Sequence, residues 1–203
     1  MKNRLILFLA IFVLFLASSG FYGCGYNKMV TLEESVTSAW SQVENQYQRR
    51  ADLIPNLVKT VEGAADFEKS TFLEVTEMRS KVGQMKLNAE DLNDPDKFAM
   101  YQKAQDNLSG ALSRLLVVVE NYPQLKANES FLQLQSQLEG TENRISVERM
   151  KFNEAVQAYN TERRSFPMLI FAGMFGFKEK QYFKGKEGTD QAPDVKFDFD
   201  KKK

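Results

Sequence analysis

Between Thr31 and Arg164, apolar residues recur every three or four positions. That is the spacing that lines one face of an α-helix. Alternating β-branched runs, the mark of strands, are absent. The clearest pattern lies between residues 96 and 122. Phe98, Gln105, Leu112 and Val119 form one heptad series, and Tyr101, Leu108, Leu115 and Tyr122 form the other. Asp94-Pro95-Asp96 suits a helix start, because proline is pre-shaped for the first turn and acids favour the positive end of the helix dipole. Pro123 disfavours helical geometry in the residue before it and ends the segment. The next helix runs from about Asn128, a suitable N-cap, to Arg164, with Pro167 beyond it. Along it Phe131, Leu138, Ile145, Phe152 and Tyr159 keep one heptad series without a gap.

The stretch from Thr31 to Lys86 is longer. Its first part holds Val36, Val43, Arg50, Leu57 and Ala64 in one series and Trp40, Tyr47, Ile54 and Val61 in the other. After Val61 the register slips, and Ala65, Phe72, Val75 and Val82 continue the stripe. Gly63 sits at the slip and Asp66 is placed to cap a new helix, so the segment divides near residues 63–66. A single long helix with a stutter is the rival reading. Pro55 removes one internal hydrogen bond and should bend the first helix. Four helices follow, at about 31–62, 66–87, 96–122 and 128–164. Their connections are short, so neighbours should run antiparallel. The expected fold class is all-α: an antiparallel up-and-down four-helix bundle with coiled-coil seams, carried on an N-terminal membrane anchor.

The anchor is read from residues 1–26. Lys2 and Arg4 precede an apolar run from Leu5 to Ala17, and no charge follows before Lys28. A spanning helix needs about 20 mostly apolar residues. Lys2 and Arg4 should stay in the cytoplasm, leaving the rest of the chain outside it. A secretory signal shares this layout of basic start, apolar core and small residues. Cys24, in Phe21-Tyr22-Gly23-Cys24-Gly25, lies where a loose bacterial lipobox would have its acylated cysteine. Both readings attach the domain to a membrane on its non-cytoplasmic face.

Three further segments complete the division. Residues 27–165 form the helical bundle. Residues 166–177, Phe166-Pro167-Met168-Leu169-Ile170-Phe171-Ala172-Gly173-Met174-Phe175-Gly176-Phe177, are almost wholly apolar but too short to span a bilayer. They either fold back over the bundle end or present a contact for a partner or a membrane surface, with Met168, Leu169, Ile170 and Phe171 as the candidate contact residues. Residues 178–203 are rich in Lys, Asp and Gly and read as a flexible tail.

Composition narrows the chemistry. There is no histidine and one cysteine, so the most common general base, a thiol metal cluster and an internal disulfide are all missing. No glycine-rich phosphate loop, G-x-S-x-G elbow or paired zinc motif occurs. The 27 Lys and Arg balance 27 Asp and Glu, which leaves no basic footprint for nucleic acid. No catalytic residue, cofactor or metal ligand is expected. A hydrolase built from carboxylates alone is the remote alternative.

One polar residue stands on a seam. Arg50 is flanked one heptad away by Val43 and Leu57, and a charge there needs a partner. From residue 27 to Arg50 the first helix climbs about 35 Å, and from residue 164 back to Glu142 the last helix climbs about 33 Å. Arg50 and Glu142 should therefore face each other as a partly buried structural pair. The same counting puts Arg149 near Glu44. The alternative is that Arg50 reaches solvent and lines the core only with its stem.

Four stretches together resemble the LemA family of bacterial membrane-anchored helical proteins. They are Ala39-Trp40-x-x-Val43, Tyr47-Gln48-Arg49-Arg50-Ala51-Asp52-Leu53-Ile54-Pro55-Asn56-Leu57-Val58, Tyr122-Pro123-x-Leu125-Lys126-Ala127-Asn128 and Thr141-Glu142-Asn143-Arg144-Ile145, with Tyr159-Asn160 and Tyr182-Phe183 beyond. The resemblance implies a four-helix bundle, an N-terminal anchor and no established enzymatic activity. The expected function is a non-enzymatic membrane-anchored scaffold or adaptor in the bacterial envelope. Its expected partners are membrane lipid at the N-terminus and an unidentified protein. An accessory subunit of a membrane enzyme, contacted through residues 166–177, is the second reading.

Overall fold

The computed structural model describes the backbone of residues 2–63 and 69–185, and the side chains of residues 25–63 and 70–185. Among them the chain is helical, without strands. The elements are α1 (Lys2–Glu62), α2 (Lys69–Gln84), a 3-10 turn (Ala89–Asn93), α3 (Pro95–Val119), α4 (Pro123–Lys126), α5 (Glu129–Arg164) and α6 (Met168–Phe171). Cys24 and the rest of residues 1–24 of the expected anchor have side chains outside the described ones, as do the slip residues Ala64 and Ala65 and the proposed cap Asp66. Among the described residues, no helix is long and apolar enough to cross a membrane.

The helix ends follow local chemistry. Asp94 caps α3 by accepting from the backbone of Asp96 and Lys97, with Pro95 in the first turn. Asn128 caps α5 by accepting from Phe131 N at 3.2 Å. Such caps are each worth about 1 kcal/mol. Pro123 does more than end α3: it opens the short α4, whose Leu125 is buried. Pro55 lies inside α1 without ending it. Residues 85–94, expected partly as helix, instead break into the 3-10 turn, where Asn88 N donates to Asp91 and Leu92 is buried.

The heptad stripes turn inward. In α1, Val36, Trp40, Val43, Tyr47, Arg50, Ile54, Leu57 and Val61 are all buried. In α5, Phe131, Leu138, Ile145, Phe152 and Tyr159 are buried, joined by Thr141, Val156 and Asn160. Each large apolar side chain so enclosed contributes about 1.5–3 kcal/mol. Ion pairs show the directions. Lys28 meets Glu162 and Arg50 meets Glu142, so α1 and α5 run antiparallel. Arg114 pairs with Glu74 between α3 and α2, and Arg79 Nε donates to Ala51 O between α2 and α1 at 2.9 Å.

The core has two parts. One gathers Met29 to Tyr47 with Leu87 to Tyr101 and Ile145 to Phe183. The other gathers Ile54 to Val61 with Phe72, Val75 and Leu108 to Leu138. Arg50 lies at the level between them.

The segment after α6 corrects the expectation of a flexible tail beginning at residue 178. Residues 178–185 lie along the helices as an extended strap, with Lys180 and Phe183 buried. Three side-chain amides each bond both backbone groups of one strap residue. Asn160 holds Lys180 at 3.1 and 2.9 Å, Asn153 holds Phe183 at 2.9 and 3.0 Å, and Gln102 holds Lys184 at 3.1 and 2.7 Å. A low-apolar composition predicts disorder because it buries too little. Here two phenylalanines, Phe177 and Phe183, supply burial, and the amides satisfy the backbone.

Candidate functional site: a closed arginine layer

Arg50 is 0% exposed and sits where α1, α3 and α5 meet. Its Nη1 donates to Glu142 Oε1 at 2.7 Å and to Ser109 Oγ at 2.5 Å. Its Nη2 donates to the side-chain oxygen of Gln105 and to Gln105 O at 3.3 Å. Ser109 Oγ in turn donates to Glu142 Oε2 at 3.0 Å. The guanidinium also lies over the Tyr47 ring, 5.3 Å from its centre. The structure thus brings Arg50 and Glu142 together, and adds Gln105 and Ser109, which no sequence argument assigned. Gln105 could have been found: it is the polar member of an apolar α3 series, as Arg50 is in α1.

A second cation lies one layer nearer the N-terminal end. Arg149 Nε donates to Tyr47 Oη at 2.7 Å, and its Nη2 to Asp106 at 2.8 Å. It also lies over the Phe183 ring at 4.8 Å. This corrects the expected neighbour, Glu44. Counting the rise fixes the level along a helix but not the direction around it, and Glu44 faces α2 instead. There it lines a cleft of about 460 Å³ with Gln48, Val82, Lys86 and Tyr101. Partial burial in that cleft raises the Glu44 carboxyl above its ordinary value. Burial likewise pushes up the phenols of Tyr47, Tyr101 and Tyr159.

The layer is closed on itself. Both of the Arg50 terminal nitrogens are taken by protein groups, and only Nε is buried without a partner. Ser109 and Glu142 resemble a nucleophile beside a base, but each is already held by Arg50 Nη1. Arg49, its neighbour in sequence, is exposed. Among the described residues, no group of three or more Cys, Asp and Glu is placed to hold a metal ion. The arrangement joins α1, α3 and α5 through one buried charge.

Residues 166–177 divide by face. Met168, Ala172 and Phe177 are buried and Phe171 is half-buried against the aromatic part of the core. Leu169 and Ile170 are each 62% exposed, Met174 78% and Phe166 81%. The segment is thus buried on one side and exposed on the other.

Fold and site together define a helical protein in which a buried arginine and its polar partners tie three helices. The chain belongs to the LemA family, whose profile matches residues 39–197. It is 30% identical over 181 residues to Magnetosome protein MamQ 2 of Paramagnetospirillum magneticum, covering 81% of this chain and 66% of that one. MamQ of Magnetospirillum gryphiswaldense is 29% identical over the same shares. Protein LemA of Metamycoplasma hominis is 25% identical over 142 residues, 69% of this chain and 60% of that protein. The chain therefore spans just under two thirds of the length of the relatives it matches.

Proposed function

We propose that this protein is a non-enzymatic scaffold or adaptor, attached to a membrane at its N-terminus and presented outside the cytoplasm. In this reading the four long helices make one antiparallel up-and-down bundle that stands as a rigid rod on the anchor. The observation that carries it is the closed arginine layer. A buried charge whose terminal nitrogens are taken by Glu142, Ser109 and Gln105 ties helices together and leaves only its buried Nε unpartnered, out of reach of a substrate. The relatives are named for a location or a family and not for a reaction, which supports an organising task. The apolar run of residues 5–17 supports a spanning segment over residues 5–26, and Cys24 supports acylation as the other mode of attachment.

Topology and partner capture test it together. Single cysteines placed at exposed bundle sites, such as Val147 and Met150, should react with a membrane-impermeant maleimide in intact cells. Crosslinking from the same sites should capture a protein. Protection from the reagent would refute the outward presentation, and a reaction catalysed by the purified full chain would refute the scaffold.

A further inference from the structure

We propose that α6 is a second membrane contact, whose exposed apolar face lies in the headgroup layer of the bilayer that receives the N-terminus. The inference rests on the anchor reading above and adds a depth and an orientation to it. Phe166, Leu169, Ile170 and Met174 are exposed and apolar within one short segment. A soluble surface seldom leaves such a patch uncovered.

The position of this patch selects its occupant. α6 packs on the start of the described side chains of α1. A Cβ added to Gly25 would stand 3.2 Å from Met168 Cε. The Tyr26 ring lies 5.3 Å from that of Phe175 and 5.7 Å from that of Phe177. Helix α1 continues unbroken from there back to Lys2. If residues 5–26 cross the bilayer, Gly25 and Tyr26 lie at its outer boundary, where tyrosine is enriched. The segment of α6 and the residues just after it, which meets both, lies at the same depth. Its exposed face then meets the acyl–headgroup boundary, as interfacial helices do. Beside this segment Lys28 pairs with Glu162 and Arg163 with Glu179, so the charged groups next to the apolar face are matched.

The native chain has a single tryptophan, Trp40, which is buried and about 22 Å above Gly25 along the helix. It serves as an internal reference. Full-length Leu169→Trp and, separately, Met174→Trp would be reconstituted in phosphatidylcholine–phosphatidylglycerol vesicles. Leu132→Trp, exposed on α5 at the other core, is the distant control. With brominated acyl chains, the emission added at 169 and 174 should fall by about half, as expected for side chains seated roughly 5–10 Å into the boundary. Trp40 and the residue-132 probe should not respond. Protein that floats with the vesicles but shows unquenched probes at both 169 and 174 overturns the inference and leaves the anchor standing. So does capture of a protein by a photocrosslinker at Ile170 with lipid quenching absent. Protein that fails to float overturns the anchor and the interfacial placement with it.

Discussion

The two halves of the core are built from different materials. Near the N-terminal end of the described side chains the core is aromatic. Trp40 packs edge-on to Phe152 at 5.6 Å and to Tyr101 at 5.6 Å, and Phe98 meets Phe183 at 4.9 Å. Beyond the Arg50 layer the core is mostly aliphatic: Ile54, Leu57, Val61, Leu108, Leu112, Leu115, Val119 and Leu138. Aliphatic side chains repack with little loss when volume is kept. Aromatic rings favour particular angles, and tyrosine and tryptophan bring polar ends that need partners. Tyr47 finds Arg149, whereas Tyr159 Oη is buried without one. The aromatic half is also the half that the strap closes. One helical core can thus hold a permissive region and an exacting one, divided by a charge.

Breaking the divider should have the largest effect. Arg50→Ala leaves Gln105 dry and Glu142 without its cation, and should cost about 3–5 kcal/mol. Glu142 remains 35% exposed, which favours the lower end of that range. Chemical denaturation measures it, and a loss under about 1 kcal/mol would show that the layer does not join the halves. Next is Phe183→Ala in the strap, expected to cost about 3 kcal/mol. It should also make the chain cleavable after Phe177 by a protease that leaves the parent intact. Equal resistance of the two proteins would mean that the strap is not held by its aromatic anchor.

Alkaline pH should weaken the aromatic half selectively. The Tyr47 and Tyr159 phenols are raised above the ordinary 10.0 by burial. The unfolded chain therefore releases these protons first, and stability present below pH 10.0 is lost as pH rises toward the folded values. The slope is about 1.4 kcal/mol per pH unit for each protected phenol. Tyr159→Phe should fold normally, since its hydroxyl has no partner, and should flatten that slope. An unchanged slope would assign the effect elsewhere. The smallest effect belongs to the aliphatic half. Leu112→Met keeps volume and should cost under about 1.5 kcal/mol. A larger loss measured by thermal melting would show that this half is as exacting as the other.

Much of this was legible in the chain. The seams of α1, α3 and α5 were visible because a straight helix returns to the same face every seven residues, whatever it packs against. Asn128 and Asp94 announced helix starts by chemistry that acts within three residues. The meeting of Arg50 with Glu142 followed from rise per residue and short connections. The strap was not legible, because Asn153, Asn160 and Gln102 look like ordinary surface amides until the helices are side by side. The aromatic pair Tyr182-Phe183 was the one signal that could have located it. The partner of Arg149 was missed for a related reason, since Asp106 lies on a third helix that counting along two cannot reach.

The sequence by itself therefore determined the elements, their inward faces and the level at which a buried charge sits. These depend on local periodicity and on distances measured along single helices. Tertiary structure decided which groups surround that charge, which extended segment lies over the core and which side of α6 stays bare. Those outcomes depend on the rotation of each helix about its own axis and on backbone groups brought close from distant positions, and neither quantity is written in the spacing of residues along one chain.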